Sequence, residues 1–159
     1  MNIEKKIIFK TASTKKEFDD GKHLFREYVK SLPFVLDFQD FEKELDRIEV
    51  MYGPPQGALL LAYDDEKPIA CTGVRKLDHG AAELKRMFVE PEYRGLKIAR
   101  QLLELALQAA KDMGYNKMKL DSIRQMEPAL KLYRAYGFKE TEPYCFNPLP
   151  TAVYMEKNL

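Results

Sequence analysis

Glu83–Arg100, ELKRMFVEPEYRGLKIAR, is the stretch on which the fold turns. An apolar run, Met87-Phe88-Val89, leads into a Pro-containing loop, and Arg94-Gly95 then opens a long helical pattern. Strand, loop and helix in direct succession aim backbone N–H groups and the positive end of a helix dipole at one point beyond the strand. A phosphate-like anion is favoured there. Within the strand, Leu84 and Met87 are both apolar yet three residues apart, with Lys85 and Arg86 between them. Strict alternation cannot place both on one face. Two readings fit: a bulge near Lys85-Arg86, or a strand buried on both faces without alternation. A bulge would push this strand away from a parallel partner and open a slot between the two.

After Gly95 a helix carries Ile98, Leu102, Leu105, Ala106, Ala109 and Met113 on one face, with Lys97, Arg100, Glu104, Gln108 and Lys111 opposite. Gly114 ends it, and Lys117–Asp121 reads as a strand. A strand–helix–strand unit needs a right-handed crossover, so its two strands are expected as parallel neighbours. Pro128 suits the first turn of a further helix, with Ala129, Leu132, Tyr133 and Tyr136 inward and Gly137 as terminator. Phe138 starts a strand, and residues 152–156 read as the last.

Upstream, ALLLAY (58–63), PIACTGVRKL (68–77) and AAELKRMFV (81–89) form a meander of three antiparallel strands. Turns at Asp64-Asp65-Glu66-Lys67 and Asp78-His79-Gly80 join them. His79 reads as a turn residue rather than a catalytic base. KKIIFK (5–10) is a first strand. Thr14 and Glu17 have capping-box spacing for a helix to about Ser31, with Phe18, Lys22 or His23, Phe25, Val29 and Leu32 on one face. Pro33 ends it. An aromatic linker, SLPFVLDFQDF, precedes a second helix over residues 39–51, and Gly53-Pro54-Pro55 closes the pair.

The 159 residues read as a single domain, 1–159, without repeats or low-complexity segments. A net charge of +1, from 26 basic and 25 acidic residues, argues against broad nucleic-acid binding but permits a local basic pocket. Cys71 and Cys145 show neither CxxC nor paired-His spacing, so no disulfide framework or metal site is expected, and each reads as a buried thiol. No signal peptide follows Met1, and no apolar run reaches the ~18 residues of a membrane span. A cytoplasmic protein without membrane association is the expectation.

This ordered set of features resembles the GNAT superfamily of acetyl-CoA-dependent N-acetyltransferases. Its core motif, Arg/Gln-x-x-Gly-x-Gly/Ala, is matched by Arg94, Gly95, Leu96, Lys97, Ile98 and Ala99. A second signature, Ala-x-x-x-Tyr-x-x-x-Gly-Phe, is met by Ala129, Tyr133, Gly137 and Phe138. Either alone is weak; together, in the right order of elements over nearly the whole chain, they are specific. Two positions depart from the pattern. Lys97 stands where the loop has a central glycine, so its side chain either crowds the pyrophosphate or pairs with it. Met126 stands where the family often has Asn, which removes one side-chain contact to the pantetheine arm.

The resemblance implies an α/β fold, a mixed and mostly antiparallel twisted sheet of six or seven strands around a central parallel pair, flanked by about four helices. It implies acetyl-CoA held by Met87, Phe88, Val89, the loop Arg94–Ala99, Arg100 and Ala129. The backbone N–H groups at the end of Met87-Phe88-Val89 would polarise the thioester carbonyl. Glu83, eleven positions before Arg94, corresponds to a glutamate commonly acting as general base. Tyr133 corresponds to a tyrosine that donates a proton to the CoA sulfur. Asp37, Tyr144 and Asn147 are expected across the cleft as contacts to a small-molecule, amino-acid or peptide amine, in a monomer or homodimer. The reading from another class is an acyl-CoA-binding regulatory module without turnover, which Lys97 and Met126 keep open.

Overall fold

The computed structural model describes residues 6–35, 38–78 and 80–159, so His79 and Asp37 lie outside the described residues. The chain runs β1 (Ile7–Thr11), α1 (Lys15–Ser31), α2 (Phe38–Asp46), α3 (Ile48–Met51), β2 (Ala58–Asp64), β3 (Lys67–Asp78) and β4 (Ala81–Val89). A 3-10 turn (Pro91–Tyr93) leads to α4 (Ile98–Asp112), β5 (Lys117–Ile123), α5 (Glu127–Ala135), β6 (Lys139–Glu140) and β7 (Ala152–Asn158). The strands form one sheet ordered β1-β2-β3-β4-β5-β7-β6. The β4–β5 pair is parallel and the other neighbours are antiparallel.

Helices cover both faces of the sheet. On one face α4 and α5 pack Ile98, Leu102, Ala106, Leu130 and Tyr133 against Leu60, Leu84, Met118 and Leu120. On the other, α1, α2 and α3 pack Phe18, Phe25, Phe41 and Ile48 against Leu59, Leu61 and Phe88. Strand β2 is buried on both faces, which explains its unbroken apolar run. Thr14 and Glu17 form the expected capping box, and α1 ends before Pro33.

Several details differ from the sequence reading. The inward face of α1 carries Gly21 and Leu24 where Lys22 or His23 was expected. A Cβ on Gly21 would meet Leu59 Cδ2 at 2.4 Å, so any larger residue there would force the buried Leu59 side chain to shift. The helix over residues 39–51 is interrupted at Arg47, whose N–H donates to the carbonyls of both Lys43 and Glu44. No Gly or Pro announces that break, and Phe41, Leu45 and Ile48 keep helical spacing across it. On α4, Leu103, Leu107 and Ala110 are buried and Leu105 is exposed. Two apolar stripes overlap on that helix, and periodicity alone does not say which one meets the sheet. On α5, Leu130 is buried and Leu132 only partly so.

The bulge is present. Cys71 pairs with Phe88 and Gly73 with Lys85, so one extra residue enters β4, and Arg86 takes φ +58°. The β4–β5 ladder runs from Ala81↔Lys117 to Glu83↔Lys119 and stops. Strand β5 continues to Ile123 against β7. The parallel strands therefore diverge after Glu83 and leave an opening between them.

Candidate active site

A cavity of about 550 Å³ occupies that opening. Lys85, Arg86 and Met87 of β4 line one wall, and Asp121, Ser122 and Ile123 of β5 the other. Ala129 and Tyr133 of α5 close one end. Phe34, Val35 and Glu44 line the cavity together with Phe146 and Asn147, so the linker before α2 and the segment before β7 share it.

Beyond Glu83 the β5-facing backbone edge of β4 has no sheet partner among the described residues. Such an edge offers N–H and C=O groups to an extended ligand. It leads to the loop before α4, which two left-handed residues shape: Gly95 at φ +86° and Lys97 at φ +61°. A Cβ on Gly95 would meet nothing within 4 Å, so the backbone angle alone calls for glycine. Lys97 is the N-cap of α4 and makes no side-chain cap. Gln101 N–H reaches the Lys97 carbonyl at 3.3 Å, which leaves the N–H groups of Ile98, Ala99 and Arg100 ahead of the first intrahelical bond. Unbonded N–H groups at a helix start are the donors an anion would need. Lys97 accepts the left-handed backbone at roughly 1 kcal/mol relative to glycine, and its ammonium belongs to the same loop.

The other loop residues take distinct positions. Arg94 Nε donates to the Val89 carbonyl at 3.2 Å, tying the loop to the strand end. Arg100 Nε donates to the Tyr136 hydroxyl at 2.8 Å, and that hydroxyl donates in turn to Glu104. The Phe88 ring turns into the α1 side of the core against Tyr28, leaving its backbone as the part available to a ligand.

Tyr133 reaches the cavity from α5, its ring packed edge-on to Phe138 at 5.8 Å. Burial pushes its hydroxyl well above the ordinary tyrosine range, so it stays protonated at neutral pH. Glu83 is 1% exposed and set behind the cavity wall. Its Oε1 accepts from Arg75 Nε at 2.8 Å and its Oε2 from the Tyr144 hydroxyl at 2.6 Å. Burial, and then the Glu83 charge, push the Tyr144 hydroxyl upward. Asn147 Nδ2 donates to Asp121 at 3.1 Å. Glu83, Asp121 and Cys145 each place one donor atom within 4.8 Å of the others. Both Glu83 oxygens are already hydrogen-bonded, so the trio is organised around protons rather than built as a metal cage.

Asp121, Arg86, Glu44 and Arg75 were not singled out from sequence. Arg86 grips Glu44 with two bonds of 2.9 Å, and its guanidinium lies over the rings of Tyr28 and Phe41. Burial acts to raise the Glu44 carboxyl, but the hydrogen bonds and charge of Arg86 outweigh it and bring it below the ordinary range. The bulge and α2 are thereby clamped together. The available signal was the polar pair Lys85-Arg86 in an otherwise apolar strand; nothing nearby pointed to Glu44. Cys71 is buried, its thiol raised by desolvation. Burial, then the charges of Asp121 and Glu83, push the exposed Cys145 thiol up to about 11. Neither thiol is a ready nucleophile.

The model of the acetyltransferase (GNAT) family matches residues 22–138. An uncharacterized N-acetyltransferase of Schizosaccharomyces pombe is 40% identical over 141 residues, covering 87% of this chain and 86% of that one. Among solved structures, an acetyltransferase from Streptococcus agalactiae superposes with TM-score 0.78 at 20% identity, over 96% of this chain and 98% of its own. The PaiA N-acetyltransferase of Thermoplasma acidophilum, solved with coenzyme A, gives TM-score 0.72 at 21% identity, over 97% and 99%.

Proposed function

The chain belongs to the GNAT acetyltransferase family, and on that premise we propose that it moves the acetyl group of acetyl-CoA to a primary amine by direct attack in a ternary complex. The observation that carries the reading is the divergence of β4 and β5 after Glu83, which opens a cavity lined by the unpaired part of β4 and by Tyr133; the loop and α4 N-terminus follow that strand in the chain, outside the cavity lining.

In this reading the N–H groups of Ile98, Ala99 and Arg100, with the ammonium of Lys97, hold the pyrophosphate. The pantetheine arm runs along the free edge of β4. A β4 backbone N–H near Met87–Val89 meets the thioester oxygen and stabilises the charge that grows on it. The acceptor enters from the Phe34–Phe146 side as an ammonium and must lose a proton before it attacks. Glu83 is 1% exposed and takes that proton through the Tyr144 hydroxyl bonded to it, which accepts the amine proton while passing its own to Glu83 Oε2. The amine nitrogen then bonds to the carbonyl carbon, the C–S bond breaks, and the Tyr133 hydroxyl protonates the departing thiolate. The new amide nitrogen loses its surplus proton to solvent, Glu83 releases the one it took, and solvent reprotonates Tyr133. Cys71 and Cys145 take no part, because neither thiol ionises readily at neutral pH.

Thiol release from acetyl-CoA on addition of primary amines tests the reading. Tight acetyl-CoA binding without release for any amine would instead support the regulatory-module alternative.

A further inference from the structure

The charged groups around the acceptor end of the cavity are not all alike. Arg86 and Glu44 neutralise each other through a two-bond pair. Glu83 is matched by Arg75 behind the wall. Asp40 also lines the cavity but is exposed, which leaves Lys85 and Asp121 as the half-buried charges. Both line the cavity and both are half-buried. Asp121 accepts from the neutral Asn147 amide, and among the described residues neither forms an ion pair within 4.0 Å.

Their placement follows from the sheet. The parallel ladder ends at Glu83↔Lys119, and two residues further on each strand come Lys85 and Asp121. In a parallel pair residues in register point to the same face, so these two project together to the α1–α2 side. Had the ladder continued, they would be neighbours and would pair. The bulge at Arg86 separates the strands and holds the two charges apart across the opening. A half-buried cation facing a half-buried anion across a cavity is the complement of a zwitterion.

At the mouth stand Val35 and Phe146, 82% and 90% exposed, with Phe34 beside them. Exposed apolar side chains on two segments that converge on one cavity are covered when an apolar group enters between them.

We infer that the acceptor is a free α-amino acid with an apolar side chain, its ammonium held by Asp121, its carboxylate by Lys85, and its side chain between Phe34, Val35 and Phe146. The inference rests on the acetyl-transfer reading and narrows its substrate class. Asp121 binds the amine within reach of the Tyr144–Glu83 proton path, since its carboxylate and that of Glu83 lie within 4.8 Å. A peptide N-terminus lacks the adjacent carboxylate and leaves Lys85 unanswered.

The experiment pairs calorimetric binding of acetyl-CoA with thiol release for L-phenylalanine, L-phenylalaninamide, phenethylamine and glycine. Phenylalanine should exceed its amide and phenethylamine by at least about 10-fold in kcat/KM, the order expected for one buried ionic hydrogen bond. It should exceed glycine by about 100-fold through the lost apolar contact. Lys85→Gln should lower phenylalanine toward the level of the amide, so that the ratio of the two falls from about 10 to about 1. Asp121→Asn should raise the KM for both, with acetyl-CoA affinity intact. Equal turnover of phenylalanine and its amide, or equal losses for both in Lys85→Gln, overturns the inference. Acetyl-CoA binding with transfer confined to non-zwitterionic amines overturns it too and leaves acetyl transfer standing. Failure to bind acetyl-CoA removes both.

Discussion

On the proposed cofactor side of the β4–β5 opening the groups belong mainly to one continuous stretch, Met87–Arg100, and most are backbone atoms. On the acceptor side they are side chains gathered from α1, α2, β4, β5 and the loop before β7. The first arrangement is local and tolerant: a backbone N–H survives replacement of its side chain. The second is assembled by tertiary contacts, with charges that are costly to leave unpaired. The bulge at Arg86 joins them, since it frees the β4 edge on one side and plants the Arg86–Glu44 clamp on the other.

This contrast can be broken most forcefully at the clamp. Arg86→Ala leaves Glu44 buried without its partner and should destabilise the fold by about 3–5 kcal/mol in chemical denaturation. A loss under 1 kcal/mol would show that the two sides are not mechanically joined. The same pair sets a pH dependence. The Glu44 carboxyl is lowered in the folded state, so its stabilisation is present above the unfolded value of about 4.3. It is lost as pH falls through the lower folded value. Glu44→Gln should therefore be less stable than the parent at neutral pH and lose less than the parent on acidification below about pH 4.

Tyr133→Phe comes next. It should reduce kcat by about 100-fold while leaving acetyl-CoA affinity nearly intact, the pattern of a proton donor whose ring still packs on Phe138. Unchanged turnover near neutral pH removes the acid role. A milder change is expected on the tolerant side. Lys97→Gly relieves the left-handed backbone, leaves thermal stability within about 1 kcal/mol, and raises the acetyl-CoA KM by a few-fold through the lost ammonium. A lowered KM would mean that the lysine crowds the phosphate. Cys145→Ser should change neither kcat nor stability beyond error, because that thiol lies outside the reaction path.

The legibility of the chain follows the same division. The strand, the anion loop and α4 were readable because each is set by neighbours in sequence: an apolar run, Gly95 at positive φ, and a 3.6-residue stripe. The bulge remained one of two readings until the register Cys71↔Phe88 and Gly73↔Lys85 decided it. Tyr133 was visible through a local signature. Tyr144 and Asn147 could be placed only by the fold the chain resembles, and they prove to hold Glu83 and Asp121 in position. Asp121 itself was read as the end of a strand, because nothing local tells an aspartate beside Glu83 from one in solvent. The break at Arg47 and the choice between overlapping stripes on α4 were likewise settled by packing.

Initial velocities measured with acetyl-CoA and an amine both varied test the ternary complex most directly. Intersecting double-reciprocal lines, with no acetyl group on the protein by mass spectrometry after acetyl-CoA alone, are the expected result. Parallel lines together with an acetylated cysteine would contradict direct attack.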